Sequence, residues 1–404
     1  MTTQALADVK VVEFGSYAAG PHIGKVLANF GATVVHVESK ARPDGFRLQY
    51  PPFQDGKPGI NASGCFAHFN DSKLGVTVDL KNEHGLALAR RLVDWGDIVI
   101  ENMRPGVMAR VGLGYETLAK TNPGLVMLST CNMGQTGPRA DTPGFGSQLT
   151  ALAGMCNLTG FPDGPPMLLY GPYIDFIAST LGASAVLAAL ERRRTTGLGA
   201  YIDVSQYECG LMFLAGPLFE YHRSGKVAER AGNSDPDAAP HGAYPTRGGA
   251  WIALSCWSRA EFAALCGAMG RADLADDSRY ATLAGRQANA AVLDAAIAEW
   301  SGGQEASAAA ERLQAAGVHA HQVSSVADLF DDPQLAVRRL WRNRPHAVFG
   351  EQACCFPAFE LSETPGEITG AAPLLGEHTE KVFRELLGMS AGDYAAHAAA
   401  GAFE

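Results

Sequence analysis

Three observations predict an α/β fold. Short β-rich runs alternate with helical stretches through the first third of the chain. The stretches between those runs are long enough to carry the chain from one strand to a parallel neighbour. The third is size: 404 residues, 47% of them hydrophobic, are enough for two domain-sized cores or one large one.

The elements follow in order. VKVVEF, Val9 to Phe14, is the first strand. The loop GSYAAGP comes next. HIGKVLANFG then has helical spacing and ends at Gly31, a residue suited to a C-terminal cap. ATVVHVE is the second strand, and VTVDL and DIVIEN flank the helical KNEHGLALARRLVDWG. YETLAKTNPG leads into LVMLST. From Tyr201 the pattern continues through YIDVS and a helix over 206–224. Such alternation implies a mostly parallel sheet with helices on both faces, so the large domain reads as Rossmann-like.

Residues 225–249 are dense in Gly, Pro, Asp and Asn, with little apolar content, which marks a linker with turns. AYPTRGGAWIALSC reads as a hairpin around Arg247-Gly248-Gly249. Alanine-rich helices are expected over 259–317, HAHQV as a strand, and EKVFRELLG as a helix. The expected organisation is a first part of the large domain at 1–224, a linker and smaller α+β domain at 225–325, and a return segment at 326–404 that completes the large domain.

Composition excludes several function classes. Lys and Arg number 32 against 42 Asp and Glu, a net charge of -10, and no stretch mixes basic residues with aromatics. Nucleic acid is therefore not an expected partner. The apolar runs are read as too interrupted for a membrane span. MTTQALADVKVVEF has no basic region followed by an apolar core, so no signal peptide is expected. The 8 cysteines are scattered without a C-x-x-C, as free thiols in a reducing compartment would be, which points to the cytoplasm. His319 and His321 have no carboxylate or Cys at metal-ligand spacing and are read as ordinary strand residues, with no metal expected.

Two stretches attract chemical interest. A strand, a glycine-containing loop and a helix can hold a phosphate at the helix N-terminus. The loop Gly15-Ser16-Tyr17-Ala18-Ala19-Gly20-Pro21 lacks G-x-G-x-x-G, however, so a nicotinamide oxidoreductase fits poorly. The second stretch is LLYGPYIDFIASTLGASAVLAALERRRTTG, where Asp175 stands as a turn becomes a helix. It can be a helix cap, worth about 1 kcal/mol, or a nucleophile, and the two roles are compatible.

Six segments, in order along nearly the whole chain, resemble the class III CoA-transferases, the formyl-CoA and carnitine CoA-transferase family that also includes acyl-CoA racemases. They are VVEFGSYAAGP with LANFGATVVHVE, DSKLGVTVDLKNEHG, IENMRPGVMARVGLGYETLAKTNPGLV, LAALERRRTTGLGAYIDVS, FDDPQLAVRR and PLLGEHTEKVFRELLG. The resemblance implies that Asp175, at the start of the helix preceding LAALERR, is the nucleophile. It implies transfer of CoA from an acyl-CoA donor to a carboxylic acid through an aspartyl anhydride and an aspartyl-CoA thioester, with no cofactor. CoA contacts are expected from Tyr17, Ala18, Ala19, Arg42, Lys73, Asn102, Met103, Arg104 and Arg110. A helix N-terminus is expected to lower the pKa of Asp175 and keep it ionised. Assembly is expected to be an interlocked homodimer, with a heteromer of related subunits as the alternative.

There are departures from the family pattern. Lys73-Leu74-Gly75 stands where Lys-Arg-Ser is frequent, and Asn132-Met133-Gly134 where Gly-Phe-Gly is. GNSDPDAAPHG has no tetraglycine run, which argues for a branched, aromatic or dicarboxylic acid, with succinyl-CoA as a donor, over formate. The racemases pair their acid with a histidine in an upstream segment. Pro143-Gly144-Phe145-Gly146 carries Phe145 there, so epimerisation is the rival reading that lacks its base.

Overall fold

The computed structural model describes residues 4–404. The chain forms two compact units. The larger takes the chain through Cys156, then Leu168–Lys226 and Gln334–Glu404; the smaller takes Asn157–Met167 and Val227–Pro333. The short 157–167 excursion into the smaller unit is a feature the sequence pattern does not signal.

The larger unit is built on β1 (Lys10–Phe14), β2 (Thr33–Glu38), β3 (Leu74–Thr77), β4 (Ile98–Glu101), β5 (Val126–Cys131) and β6 (Ala200–Ser205). They form one sheet in the order β3-β2-β1-β4-β5-β6, every neighbouring pair parallel. Residues 11–14, 98–101 and 126–131 are buried throughout, as strands covered on both faces must be. Val11 packs on one face with Ile23, Leu27 and Val186, while its neighbour Val12 packs on the other with Leu88, Leu92 and Phe383. In β1 the chain order reverses direction across the sheet, so the loops after β1 and β4 leave the same sheet end side by side.

The helices of this unit are α1 (Ala19–Asn29), α2 (Gly45–Leu48), α3 (Gly64–Asn70), α4 (Glu83–Trp95), α5 (Val107–Arg110), α6 (Tyr115–Leu118), α7 (Gly146–Leu152), α8 (Tyr173–Thr196), α9 (Gln206–Leu211) and α10 (Ala215–Ser224). Asn82 caps α4, its side chain accepting from the amides of His84 and Gly85. The expected single helix over 206–224 is divided into α9, a 3₁₀ turn at Met212–Leu214 and α10, with Gly216-Pro217 opening the last. Contrary to the expectation of interrupted apolar runs, α8 is long and apolar enough to cross a membrane. It is a core helix instead: Ile174, Ala178, Gly182, Ala183 and Val186 are buried, and Ser179 Oγ donates to the Ala19 carbonyl of α1.

Two details differ from the sequence pattern. The third strand lies at Leu74–Thr77 rather than over VTVDL, because residues 375–379 cover its edge: Gly75 N donates to His378 Nδ1 at 3.2 Å and Thr77 N to Thr379 Oγ1 at 3.0 Å. The return segment also contains an unanticipated antiparallel hairpin, β10 (Trp341–His346) with β11 (Gly350–Cys355).

In the smaller unit, β7 (His241–Pro245), β8 (Trp251–Ser255) and β9 (His319–Gln322) form an antiparallel sheet in that order. The turn at Arg247–Gly249 uses Gly248 at φ 76°, as the sequence signal requires. Helices Arg259–Met269, Ala290–Gly302 and Ala306–Ala315 bury Phe262, Leu265, Leu293 and Leu313 against Ile252 and Leu254.

Candidate active site

The candidate site lies in the larger unit, where loops leave the C-terminal ends of its strands. The loop after β1 is clamped from two sides. Asn102, just past β4, accepts from Ser16 N at 2.8 Å and donates Nδ2–H to Ser16 O at 2.7 Å. Asp44 Oδ1 accepts from Tyr17 N at 3.0 Å and from Ser16 Oγ at 3.2 Å. Tyr17 is held at φ 63°, in the left-handed region. Its ring packs edge-on to Phe46 at 5.4 Å and to Phe145 at 5.5 Å, and its hydroxyl donates to Gln49 Oε1.

Phe145 begins the turn into α7, and Asn132 Nδ2 steadies that turn by donating to the Gly144 carbonyl at 2.9 Å. The next residue, Gly146, lies against Asp175: a Cβ there would overlap Asp175 Oδ2. On the other side Phe176 packs against His22 at 5.0 Å and Phe69 at 5.6 Å. The β1 loop, the α7 turn and the start of α8 thus converge on one carboxyl group.

Two expectations about Asp175 are corrected. Pro172 occupies the cap position, and Asp175 is the third residue of α8, so its role is not that of an N-cap. Nor is its pKa lowered. Burial pushes the carboxyl up to about 7, and its own backbone amide offsets this only in part. Desolvation outweighs the helix terminus because the half-buried side chain lies against Gly146 at the α7 turn.

The remaining predicted residues are placed as follows. Ala18 and Ala19, at the start of α1, are buried. Arg42 is exposed on the turn after β2. Met103 is half-buried, and its amide donates to Glu101 Oε2 at 2.8 Å; Arg104 and Arg110 are exposed on the same segment. Lys73 is different. It is 3% exposed, and its ammonium donates to Glu13 Oε1, Pro21 O and Asn70 Oδ1 at 2.8, 2.7 and 2.9 Å. Its three donors are used internally, so it braces the β1 loop and the start of α1 from beneath instead of facing a ligand.

Sequence reasoning missed three participants: Gly146, Asn102 as a loop clamp, and Asp44. It also missed Glu101, a buried carboxyl raised to about 7 by burial, whose bond to Met103 N fixes the segment after β4. The signal for Glu101 and for Glu13 was present: each is an acid inside an otherwise apolar strand, where an unpartnered charge is costly.

Comparison with known proteins gives the family. The model of CoA-transferase family III matches residues 6–379. The chain is 35% identical over 390 residues to a succinyl-CoA–D-citramalate CoA-transferase of Chloroflexus aurantiacus, covering 96% of both chains. It is 34% identical to a succinyl-CoA–L-malate CoA-transferase alpha subunit from the same organism, covering 96% of this chain and 90% of that one. Among solved structures, a CaiB/BaiF family protein of Brucella suis superposes with a TM-score of 0.88 at 32% identity, over 95% of this chain and 100% of that one. The chain belongs to CoA-transferase family III and is, with its relatives, an enzyme of CoA transfer.

Proposed function

We propose that this enzyme moves CoA from succinyl-CoA to a second dicarboxylic acid, with Asp175 as the covalent relay. The observation that carries the reading is the carboxyl of Asp175 set against a residue without a side chain, Gly146, at the start of α8. Because Gly146 has no Cβ, Asp175 Oδ2 can occupy the space beside the α7 turn, which sets the direction of the carboxylate. A carboxyl raised to about 7 is a stronger base, once ionised, than an exposed aspartate, and remains partly ionised at neutral pH.

The chemistry balances without a cofactor. Asp175 carboxylate attacks the thioester carbonyl of succinyl-CoA, and CoA thiolate leaves, forming a mixed anhydride. The thiolate attacks the aspartyl carbonyl and expels succinate, leaving an aspartyl-CoA thioester. The acceptor carboxylate attacks that thioester, thiolate leaves again, and its return to the acceptor's carbonyl releases the new acyl-CoA and regenerates Asp175. Amides in the first turn of α8 would stabilise each oxyanion. Tyr17, Ala18, Ala19, Asn102 and Met103 border the CoA, while Arg42, Arg104 and Arg110 meet its phosphates. The preference for dicarboxylates follows the relatives' donors and acceptors and the missing tetraglycine run.

The test is direct. Succinyl-CoA supplied without an acceptor should leave Asp175 acylated or thioesterified, and hydroxylamine should convert it to a hydroxamate read as a peptide mass shift. An unmodified Asp175 under turnover conditions would rule the relay out. A panel of acids followed by mass spectrometry then ranks acceptors; faster turnover with formyl-CoA than with succinyl-CoA would overturn the dicarboxylate assignment. An inactive chain that becomes active only with a related partner would place it in a heteromer.

A further inference from the structure

Beneath the β1 loop lies a connected set of buried ionisable groups that CoA transfer does not consume. Lys73 Nζ is 2.8 Å from Glu13 Oε1, and Glu13 Oε1 is 2.6 Å from His36 Nδ1. The other ring nitrogen of His36 faces Glu38 Oε2 at 3.7 Å and Asp44 Oδ2 at 3.8 Å. Glu38 is paired to Arg47 at 2.8 Å and accepts from Asp44 N at 2.7 Å. None of these six residues is more than 5% exposed. Removing so many charges from water costs more than ordinary packing would, so the arrangement calls for a role beyond stability.

The end of this set points at the active site. Asp44 Oδ1 accepts from Tyr17 N, Ser16 Oγ and Phe46 N at 3.0, 3.2 and 2.8 Å. Tyr17 needs such support, because an aromatic residue at φ 63° persists only where its surroundings over-determine it. The residue after Asp44 is a glycine for the same reason: a Cβ on Gly45 would overlap the Tyr17 ring. That ring is what Phe145 packs against, one residue before Gly146 and the Asp175 carboxyl.

We propose that Asp44 is a positioning residue for CoA transfer, holding Tyr17 so that its ring fixes Phe145 and thereby the wall beside Asp175. This rests on the assignment of Asp175 and the β1 loop to acyl-CoA given above. Asp44 touches no reacting atom; it acts through Tyr17.

A double-mutant cycle tests the proposal. Asp44→Ala and Tyr17→Ala should each lower kcat/KM for succinyl-CoA by about tenfold or more, and the double variant should lose no more than the worse single. Asp44→Asn, which keeps the accepting oxygen, should stay within about threefold of the parent enzyme. Losses that multiply in the double variant would show that Asp44 acts independently of Tyr17 and would overturn the proposal. If Asp44→Ala fails to fold by circular dichroism, Tyr17→Ala decides alone: parental kcat/KM and parental CoA affinity in that variant would sink it. CoA affinity by titration calorimetry needs no turnover. A parent chain that binds CoA but transfers it to no acid would therefore defeat the transferase reading while leaving the coupling of Asp44 to Tyr17 measurable.

Discussion

Burial that lifts the Asp175 carboxyl to about 7 has consequences of opposite sign for activity and for stability. Below pH 7 the group is protonated and cannot attack, so kcat/KM should rise about tenfold per pH unit on the acid side and level off above neutrality. A profile still flat down to pH 5 would mean that the carboxyl titrates as an exposed aspartate does. For stability, the folded pKa lies above the unfolded one. The folded state therefore binds more protons, and stability is lost as pH rises from about 4 through 7. Asp175→Asn should abolish transfer, yet unfold at higher denaturant than the parent at pH 8, by on the order of 2 kcal/mol after allowance for partial exposure, with the difference fading toward pH 4. A less stable variant at pH 8 would make Asp175 a structural support. Gly146→Ala probes the same carboxyl from the opposite side. Its Cβ would collide with Asp175 Oδ2, so turnover should fall about tenfold or more through misdirection of the nucleophile, while CoA affinity holds. Unchanged turnover would show that the close approach of Gly146 to Asp175 has no part in the reaction.

At the scale of the element, α8 joins chemistry to packing. Its first turn carries Asp175, and two turns on Gly182 lets it approach α1: a Cβ there would sit 2.7 Å from Ile23 Cδ1 and 3.4 Å from Leu128 Cδ1. Gly182→Val should therefore cost about 1–3 kcal/mol in urea unfolding, and lower turnover as well, because pushing α8 away from α1 moves its N-terminus. Gly182→Ala should cost less, since the tip of Ile23 can swing aside. Full activity in a destabilised Gly182→Val variant would separate the two roles. Elements were legible in the sequence wherever their pattern was local. β1, β2, β4 and β5 are short β-rich runs set between helical stretches, and α4 shows both a cap and an amphipathic stripe. β10 was hidden by Pro345 and by the charges of Arg342 and Arg344, which suit a strand poorly until the return segment supplies a partner, as when Arg344 Nε donates to Ile368 O. The site divides in the same way. An acid at a helix start was visible; its pKa direction was not, because burial is set by Gly146 and other residues distant in sequence. Lys73 read as a CoA contact because its partner Glu13 lies 60 positions away.

At the scale of the molecule, the larger unit displays apolar surface that a partner would cover. Met212, Phe213, Phe219 and Tyr221 are 64, 57, 66 and 59% exposed, and α10 buries none of its residues. Large apolar side chains exposed this close together in the chain are a candidate association surface. With the family resemblance, this fits the expected homodimer, whose manner of assembly can be tested apart from its existence. Two chains that merely lie side by side exchange partners on the timescale of dissociation. Interlocked chains, each passing through the ring closed by the other's units and connecting segments, cannot part unless one of them opens or unfolds. Sedimentation should therefore show a dimer that persists on dilution. Mixing tagged and untagged dimers should yield no hybrid over hours at ambient temperature, and hybrids should form only after denaturation and refolding. Phe213→Glu with Phe219→Glu should impair that refolded yield, because two carboxylates would be carried into a covered apolar surface. An active monomer would remove the dimer altogether, whereas a dimer that exchanges within minutes would keep the surface and reject the interlocking.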